Sequence, residues 1–402
     1  MNIVFLSPHF PPNAYLFSVR LRELGATVLG LADAPYDGLR PELREALTEY
    51  YQVGDMHDLD ALIRALGWFT HRHGRIDRLE SLNEYWLETD ARLRTAFDIP
   101  GLRLDGIERI KRKSAMKEVF QRAGVPVARG VVARTPAATR EFVGEVGFPI
   151  IAKPDIGVGA ARTYRIETNG QLEAYLADRQ DRPHVDYLLE EFVHGQLLSY
   201  DGLVDRDGVP VFTVSLVYGI DVLDAVKGAD MHYWIDREVA PDLDELGRRV
   251  LKAFDVRERP FHFEFFMLAD GSLIALEVNM RQPGGLTIDM WNWANDMDIY
   301  RAWAEVVVRG TTEVRPSRAN YCYWAGRKHG RAYRLSHDQV IQAYGSRLVH
   351  HAAIEDVFAA AIGNYGYILR GPELAPLKQA SREILALADA PVPATAAQGP
   401  DN

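Results

Sequence analysis

One stretch constrains this chain more than any other: Phe261-His-Phe-Glu-Phe-Phe-Met-Leu-Ala-Asp-Gly-Ser-Leu-Ile-Ala-Leu-Glu-Val-Asn279. Two apolar-rich runs flank Asp270-Gly271, the dipeptide that most strongly signals a tight β-hairpin. A two-residue turn there pairs Ala269 with Ser272. Counting outward sets Glu264 opposite Glu277, with Asn279 two residues further along the same face. Directly opposed carboxylates have Cβ atoms about 4.5–5.5 Å apart and repel. Phe263, Phe265, Leu276 and Val278 place that repulsion in a partly buried setting. A divalent cation resolves it, and two carboxylates with an amide suit magnesium (or manganese) held jointly with phosphates. The competing reading is a register one residue out, with both glutamates solvated.

Two further stretches gain meaning beside the first. In Phe148-Pro-Ile-Ile-Ala-Lys153-Pro-Asp-Ile-Gly157-Val158-Gly159-Ala-Ala, a lysine ends a buried strand and leads into a glycine-bearing loop. Such a lysine can meet one phosphate while loop amides wrap the others. The loop is neither a Walker A nor a Rossmann fingerprint, and alone it is equally a plain turn. Leu188-Leu-Glu190-Glu191-Phe192-Val193 can offer strand-end peptide groups to an adenine edge, and alone it is an ordinary strand end.

The organisation is α/β and α+β. Residues 1–106 alternate short strands (Ile3–Leu6, Thr27–Leu31) with helical segments (Tyr15–Leu24, Arg40–Tyr51, Leu59–His71), as in a doubly wound parallel sheet. Ligands of such sheets sit at the carboxyl ends of the strands, so the loop Ser7–Asn13 could touch one; a proline-stiffened turn explains it equally well. Ile107–Ala123 reads as one basic helix ending at Gly124. A small α/β unit over about 126–195 follows, with a strand near Val127–Ala133, a helix Pro136–Val146 and strands Phe148–Lys153 and Tyr187–Phe192. Strands then dominate to about residue 305 (Leu198–Val204, Val211–Val217, Phe261–Leu268, Ser272–Val278), interrupted by a helix Leu243–Phe254. Residues 309–402 form a separate strand-and-helix extension whose Ala/Pro-rich tail 390–402 reads as disordered.

Composition removes several function classes. The 402 residues carry 46 Lys plus Arg against 56 Asp plus Glu, a net charge of −10, which disfavours nucleic acid or an anionic membrane as partner. Cys322 is the only cysteine, so no intrachain disulfide framework or cysteine metal site exists. No apolar run reaches 18 residues and no signal segment is visible; a cytoplasmic location is the expectation. His71-Arg-His73 suits a helix end better than a metal, and His350-His351 has no carboxylates nearby in sequence. His262 shares a face with Glu264 and could reach the phosphates. Trp291, Trp293 and Tyr300 read as helix core. Arg327-Lys328-His329 reads as a solvated face, or as a grip on a substrate carboxylate.

The ordered set resembles the ATP-grasp superfamily over residues from about 105 to 300. The resemblance implies an N-terminal doubly wound parallel-sheet domain (1–106), a two-lobed ATP-grasp module (107–308, with its lid at about 126–195) and a C-terminal extension (309–402). It assigns ATP to Lys113, Lys153, the loop Gly157, Val158 and Gly159, and the hinge Glu190, Glu191, Phe192 and Val193. Lys117 is the alternative to Lys113. Magnesium falls to Glu264, Glu277 and Asn279; Arg281 and Lys153 would be catalytic, near the transferred phosphoryl group. Leu197 stands where many relatives hold the ribose with a glutamate, so that task would pass to Gln196 or Asp201.

The activity implied is carboxylate–amine ligation: ATP converts a small carboxylate into an acyl phosphate, and an amine displaces phosphate. The substrates would be small molecules, with a homodimer as one expected assembly. Bicarbonate activation, as in biotin carboxylase or carbamoyl phosphate synthetase, is the first alternative, although a biotin-accepting Ala-Met-Lys-Met segment is missing. A non-catalytic ATP-binding regulator is the second.

Overall fold

The computed structural model describes residues 1–157, 162–180, 184–220 and 222–388. They fall into two compact units, Met1–Tyr218 with Ile235–Ala319, and Gly219–Trp234 with the described residues from Asn320 on.

The first unit opens with β1 (Asn2–Leu6), α1 (Tyr15–Glu23), β2 (Thr27–Ala32), α2 (Pro41–Ala46), β3 (Glu49–Gln52), α3 (Leu59–His73) and β4 (Arg78–Glu80). The strands are parallel in the order β3-β2-β1-β4. Alternation along β1 feeds two layers. Val4 and Leu6 join Leu62, Leu66 and Phe69 of α3, while Phe5 stacks on Phe17 of α1 at 6.2 Å. Helices on both faces make the sheet doubly wound, as expected. The expected segment Arg40–Tyr51 divides instead: Leu47 is extended, and Tyr50 and Tyr51 pair with β2. Aromatic residues beside an open parallel edge gain more as a strand than as a helix end.

After α4 (Leu87–Ala96), the single helix expected over Ile107–Ala123 is two, α5 (Leu104–Lys111) and α6 (Lys113–Arg122). Arg112 between them is extended and bridges Ile156. The cause is Asp155. Its buried carboxylate takes the Ser114 amide at 2.7 Å, the Ser114 hydroxyl at 2.8 Å and Arg112 Nη1 at 2.9 Å, starting a fresh helix at Lys113. This long-range cap satisfies donors that a continuous helix would have satisfied internally.

A small antiparallel sheet follows, from β5 (Gly130–Val132), α7 (Pro136–Val146), β6 (Ile150–Pro154), β7 (Tyr164–Ile166), α8 (Asn169–Gln180) and β8 (Tyr187–Glu191), in the order β5-β8-β6-β7. Helix α7 has the expected bounds. Thr135 caps it through the Ala138 amide, Pro136 opens it and Gly147 at φ +76° closes it. β7 and α8 were not foreseen; their sequence has no sharp periodicity.

The central sheet contains β9 (Gln196–Val204), β10 (Pro210–Val214) and β11 (Leu216–Tyr218). The expected strand Val211–Val217 is thus two. The chain passes through α9 (Val222–Val226) and β12 (His232–Ile235), then forms α10 (Pro241–Phe254), β13 (Pro260–Met267) and β14 (Leu273–Asn279). Within the first unit the order is β14-β13-β9-β11, with β10 paired to β9. One face is apolar. Leu198, Tyr200, Phe261, Phe263, Phe265 and Val278 form one core with Met116, Val119 and Phe120 of α6 and Leu243, Val250 and Phe254 of α10. The opposite face is the polar one that matters for function. α11 (Thr287–Asn295) and α12 (Ile299–Arg309) complete the unit; Trp303 meets Phe17 at 5.0 Å, and Trp291 and Tyr300 are core, as expected, while Trp293 is only half-buried.

The second unit adds β15 (Tyr321–Arg327), α13 (His337–Tyr344), β16 (Leu348–Ala353), α14 (Asp356–Ile362), β17 (Tyr365–Gly371) and α15 (Leu374–Leu385). Its strand order is β12-β15-β17-β16. Here Arg327 corrects the solvated reading. It is buried, donates to the Ile384 carbonyl and lies over the Tyr333 ring at 4.5 Å, so it is committed to the fold rather than to a substrate carboxylate. The tail 390–402 lies outside the described residues. Among the described residues, no helix is long and apolar enough to cross a membrane.

Candidate active site

The hairpin β13–β14 sets the site. Glu264 does pair with Glu277, and His262 with Asn279. The turn, however, is not the two-residue one. Leu268 N donates to Ser272 O, enclosing Ala269, Asp270 and Gly271, with Gly271 at φ +86°. That is a three-residue loop with glycine in the left-handed position. It shifts the register by one, and an irregularity beside Glu264 and Phe265 shifts it back, where the Ala275 amide donates to Pro126 O at 2.8 Å. Two departures cancel, and both carboxylates share one face.

Each carboxylate has its own counterweight. Glu277 lies 3.5 Å from Lys113 Nζ. Burial alone would raise its pKa, but Lys113 and Lys153 outweigh this and hold it below the ordinary range. Glu264 accepts from Tyr218 OH at 3.1 Å and lies 3.2 Å from His262 Nε2. His262 Nδ1 in turn lies 2.7 Å from Asp201 Oδ1 on β9. Burial works against charge on that imidazole, yet Asp201 and Glu264 prevail and its pKa is pushed up to about 10. Asp201 is completely buried and engaged with His262, so it is not the ribose ligand that Leu197 seemed to require. Gln196, the other candidate, donates to the Leu197 carbonyl.

Among the described residues, no three His, Cys, Asp or Glu side chains group closely enough to hold a metal by themselves. Two opposed carboxylates and the Asn279 amide do fit a hard cation whose remaining ligands are phosphate oxygens and water. The donors are all oxygen and face two lysines, which suits magnesium rather than a softer metal.

Lys153, the penultimate residue of β6, is buried with Glu190 of β8 at 2.6 Å. Lys117 of α6 takes the other Glu190 oxygen, also at 2.6 Å, and donates to the Ala128 carbonyl. Burial would push Glu190 up, but Lys153 and Lys117 hold its carboxyl below the usual range. Burial likewise opposes charge on Lys153; Glu190, Glu277 and Glu264 overcome it and raise its pKa. Lys113, at the first turn of α6, reaches the Gly157 carbonyl at 2.9 Å as well as Glu277. The two helix lysines therefore differ: Lys113 bridges the glycine loop and the carboxylate face, while Lys117 is tied to Glu190. Val158 and Gly159 lie outside the described residues.

The hinge has narrower means than expected. The Glu190 side chain is engaged by lysines, Glu191 binds Arg129 at 2.6 Å, and the Phe192 amide donates to Pro149 O. The Val193 peptide groups remain without main-chain partners among the described residues.

Arg281 donates through Nε and Nη2 to Glu84 Oε2 at 3.0 and 2.7 Å, and Nη2 lies 3.3 Å from Asn279 Oδ1. Glu84 was missed from sequence. It sits in the 81–86 loop after β4, held from beneath by buried charges. Arg94 and Arg259 share Glu80 Oε2 at 2.9 and 3.2 Å, and Asp90 takes the Ser81 hydroxyl at 2.7 Å. Nothing in Leu82-Asn-Glu-Tyr signals a partner nearly two hundred residues away. Lys117 and Asp155 were not assigned these roles either.

Residues 146–289 match the ATP-grasp domain. Those residues thus carry an ATP-grasp domain. It is 27% identical over 274 residues to an L-arginine-specific L-amino acid ligase of Bacillus subtilis, covering 62% of this chain and 64% of that one. It is 26% identical over 262 residues to the carbamoyl phosphate synthase large chain of Clavibacter michiganensis subsp. michiganensis, covering 63% of this chain and 22% of that one. The matches thus span less than two thirds of either relative. In fold, this chain is similar to the L-amino acid ligase from Bacillus licheniformis, with a TM-score of 0.71 at 15% identity over 95% of this chain and 96% of that one.

Proposed function

We propose that this ATP-grasp chain is a ligase that converts a small carboxylate into an acyl phosphate with ATP and couples it to an amine, releasing ADP and phosphate. One observation carries the reading: Glu264 and Glu277 are paired on a polar sheet face toward which Lys113 and Lys153 converge. Such a face serves phosphoryl transfer, where catalysis is positioning and charge neutralisation.

Glu264, Glu277 and Asn279 would hold magnesium (or manganese), which when bound supplies charge neutralisation between the terminal phosphates. Lys113 and Lys153 would place positive charge on phosphate oxygens, and Gly157 would start the loop over them. Lys117 keeps Glu190 and Lys153 in position. Val193, with the main chain of Phe192, would meet the adenine edge. Arg281, a planar guanidinium anchored on Glu84, would hold the acceptor carboxylate oxygen as charge develops.

The test is a screen of amino acids and small carboxylic acids with ATP, magnesium and hydroxylamine. The correct acid should give ATP-dependent hydroxamate with ADP as co-product. AMP and pyrophosphate would reject the acyl-phosphate route. ADP release stimulated by bicarbonate, with no hydroxamate from any acid, would move the reading to carboxyphosphate chemistry, which the resemblance to a carbamoyl phosphate synthase chain keeps in view.

A further inference from the structure

The loop Ser7–Asn13 has no part in holding ATP or metal in the reading above, yet the fold brings it to the same place. It leaves β1 at the carboxyl edge of the parallel sheet. β4 lies directly beside β1, with Phe5 paired to Glu80, so the 81–86 loop leaves from the same edge. That second loop delivers Glu84 to Arg281. The first is tied to the segment after Gly284-Gly285: Asn13 Nδ2 donates to Asp289 Oδ2 at 2.7 Å, and Tyr300 OH donates to Asp289 Oδ1 at 2.6 Å. Residues 7–13, 81–86 and 281–289 therefore converge on one edge, beside Arg281.

Within that loop His9 is unusual. Its Nδ1 is sealed from solvent and makes no hydrogen bond among the described residues. Burial holds the imidazole below its ordinary range, against the pull of Asp33, which follows β2 on the same edge. A buried polar atom without a partner is costly, and protonating the ring would leave a second N–H to satisfy. The ring therefore stays neutral near pH 7, the state in which it can accept a proton. Sealing Nδ1 leaves Nε2 as the nitrogen able to meet a substrate.

We propose that His9 lies in the amine half of the site and takes the proton from the attacking ammonium group. This rests on the ligase reading above. The ammonium N–H passes its proton to Nε2, and the freed lone pair attacks the acyl carbon. The C–N bond forms as the bond from that carbon to the phosphate oxygen breaks, and phosphate departs. Asp33 steadies the transient imidazolium, which then loses its proton to solvent. The acceptor class is thus an amine that is protonated at neutral pH, such as an amino acid, rather than an amide or ammonia delivered through a channel.

The experiment compares two nucleophiles on one acyl phosphate. Hydroxylamine is largely unprotonated at neutral pH and needs no base; an amino acid does. His9→Gln and His9→Ala should lower amide formation roughly 100- to 10,000-fold, the usual range for loss of a general base, while hydroxamate formation persists. Across a series of amines the variants should grow faster as amine basicity falls, a trend that a structural role would not produce. Parallel melting curves exclude misfolding. Equal loss of both products, or loss of neither, overturns the assignment of His9. Absence of hydroxamate from the unaltered protein overturns the ligase reading itself, and this proposal with it.

Discussion

At the scale of single residues, the site joins groups that are individually unfavourable. Glu264 and Glu277 repel, and Lys117 and Lys153 would repel without Glu190 between them. Glu277→Gln should abolish turnover and remove the magnesium-dependent rise in melting temperature expected with a non-hydrolysable ATP analogue. A ligand at a hundred times its dissociation constant stabilises by about 2.7 kcal/mol, so the loss is measurable by calorimetry. A variant that still turns over with magnesium would refute the assignment. Lys117→Met should behave differently from Lys113→Met. The first strips a charged hydrogen bond from buried Glu190, which costs about 1.5–3 kcal/mol of stability. The second should weaken ATP binding while leaving denaturant unfolding nearly unchanged.

Elements explain how those residues arrive. α6 begins at Lys113 because Asp155, forty-two residues later, caps it. Asp155→Ala should cost about 0.5–2 kcal/mol, the usual loss of an N-cap. It should also raise the dissociation constant for ATP, since Lys113 and the Gly157 turn share that anchor. Unchanged ATP affinity would separate the cap from the site. The hairpin loop makes the opposite case. Gly271→Val places a branched side chain at φ +86° and should destabilise by roughly 1–2 kcal/mol. Its magnesium requirement should survive, because the irregularity at Ala275, not the loop alone, sets the pairing of Glu264 with Glu277.

For the whole first unit, the buried charges below the 81–86 loop link the N-terminal sheet to the ATP-grasp strands through Glu80, Arg94 and Arg259. Asp90 is part of this set. Burial pushes its carboxyl up to about 6, with Arg94 opposing. Raised above its unfolded value near 4, this carboxyl binds a proton in the folded state that the unfolded chain has lost. Its contribution to stability is therefore full below pH 4 and declines as the pH rises through 6. Asp90→Asn keeps an acceptor for Ser81 and should gain stability over the unaltered protein between pH 4 and 6. Melting temperatures across that range check the sign; a constant difference would show that Asp90 does not titrate there.

The sequence by itself pointed to an ATP-grasp domain and to the face that carries its acidic residues. The order of Lys153, the glycine loop, the Glu190–Val193 strand end and the Glu264–Glu277–Asn279 hairpin is local information, since each motif is read within one strand or turn. Strand period puts Glu277 and Asn279 on one face, but their pairing with Glu264 also needed the three-residue loop and the irregularity beside Phe265 to cancel. Only the tertiary structure decided what long-range contacts decide: that Lys117 serves Glu190, that Asp155 divides one expected helix into two, and that Asp201 belongs to His262. It also brought Glu84 to Arg281. A buried charge selects whichever opposite charge the fold sets within hydrogen-bond reach, and no pattern of neighbours along the chain encodes that distance.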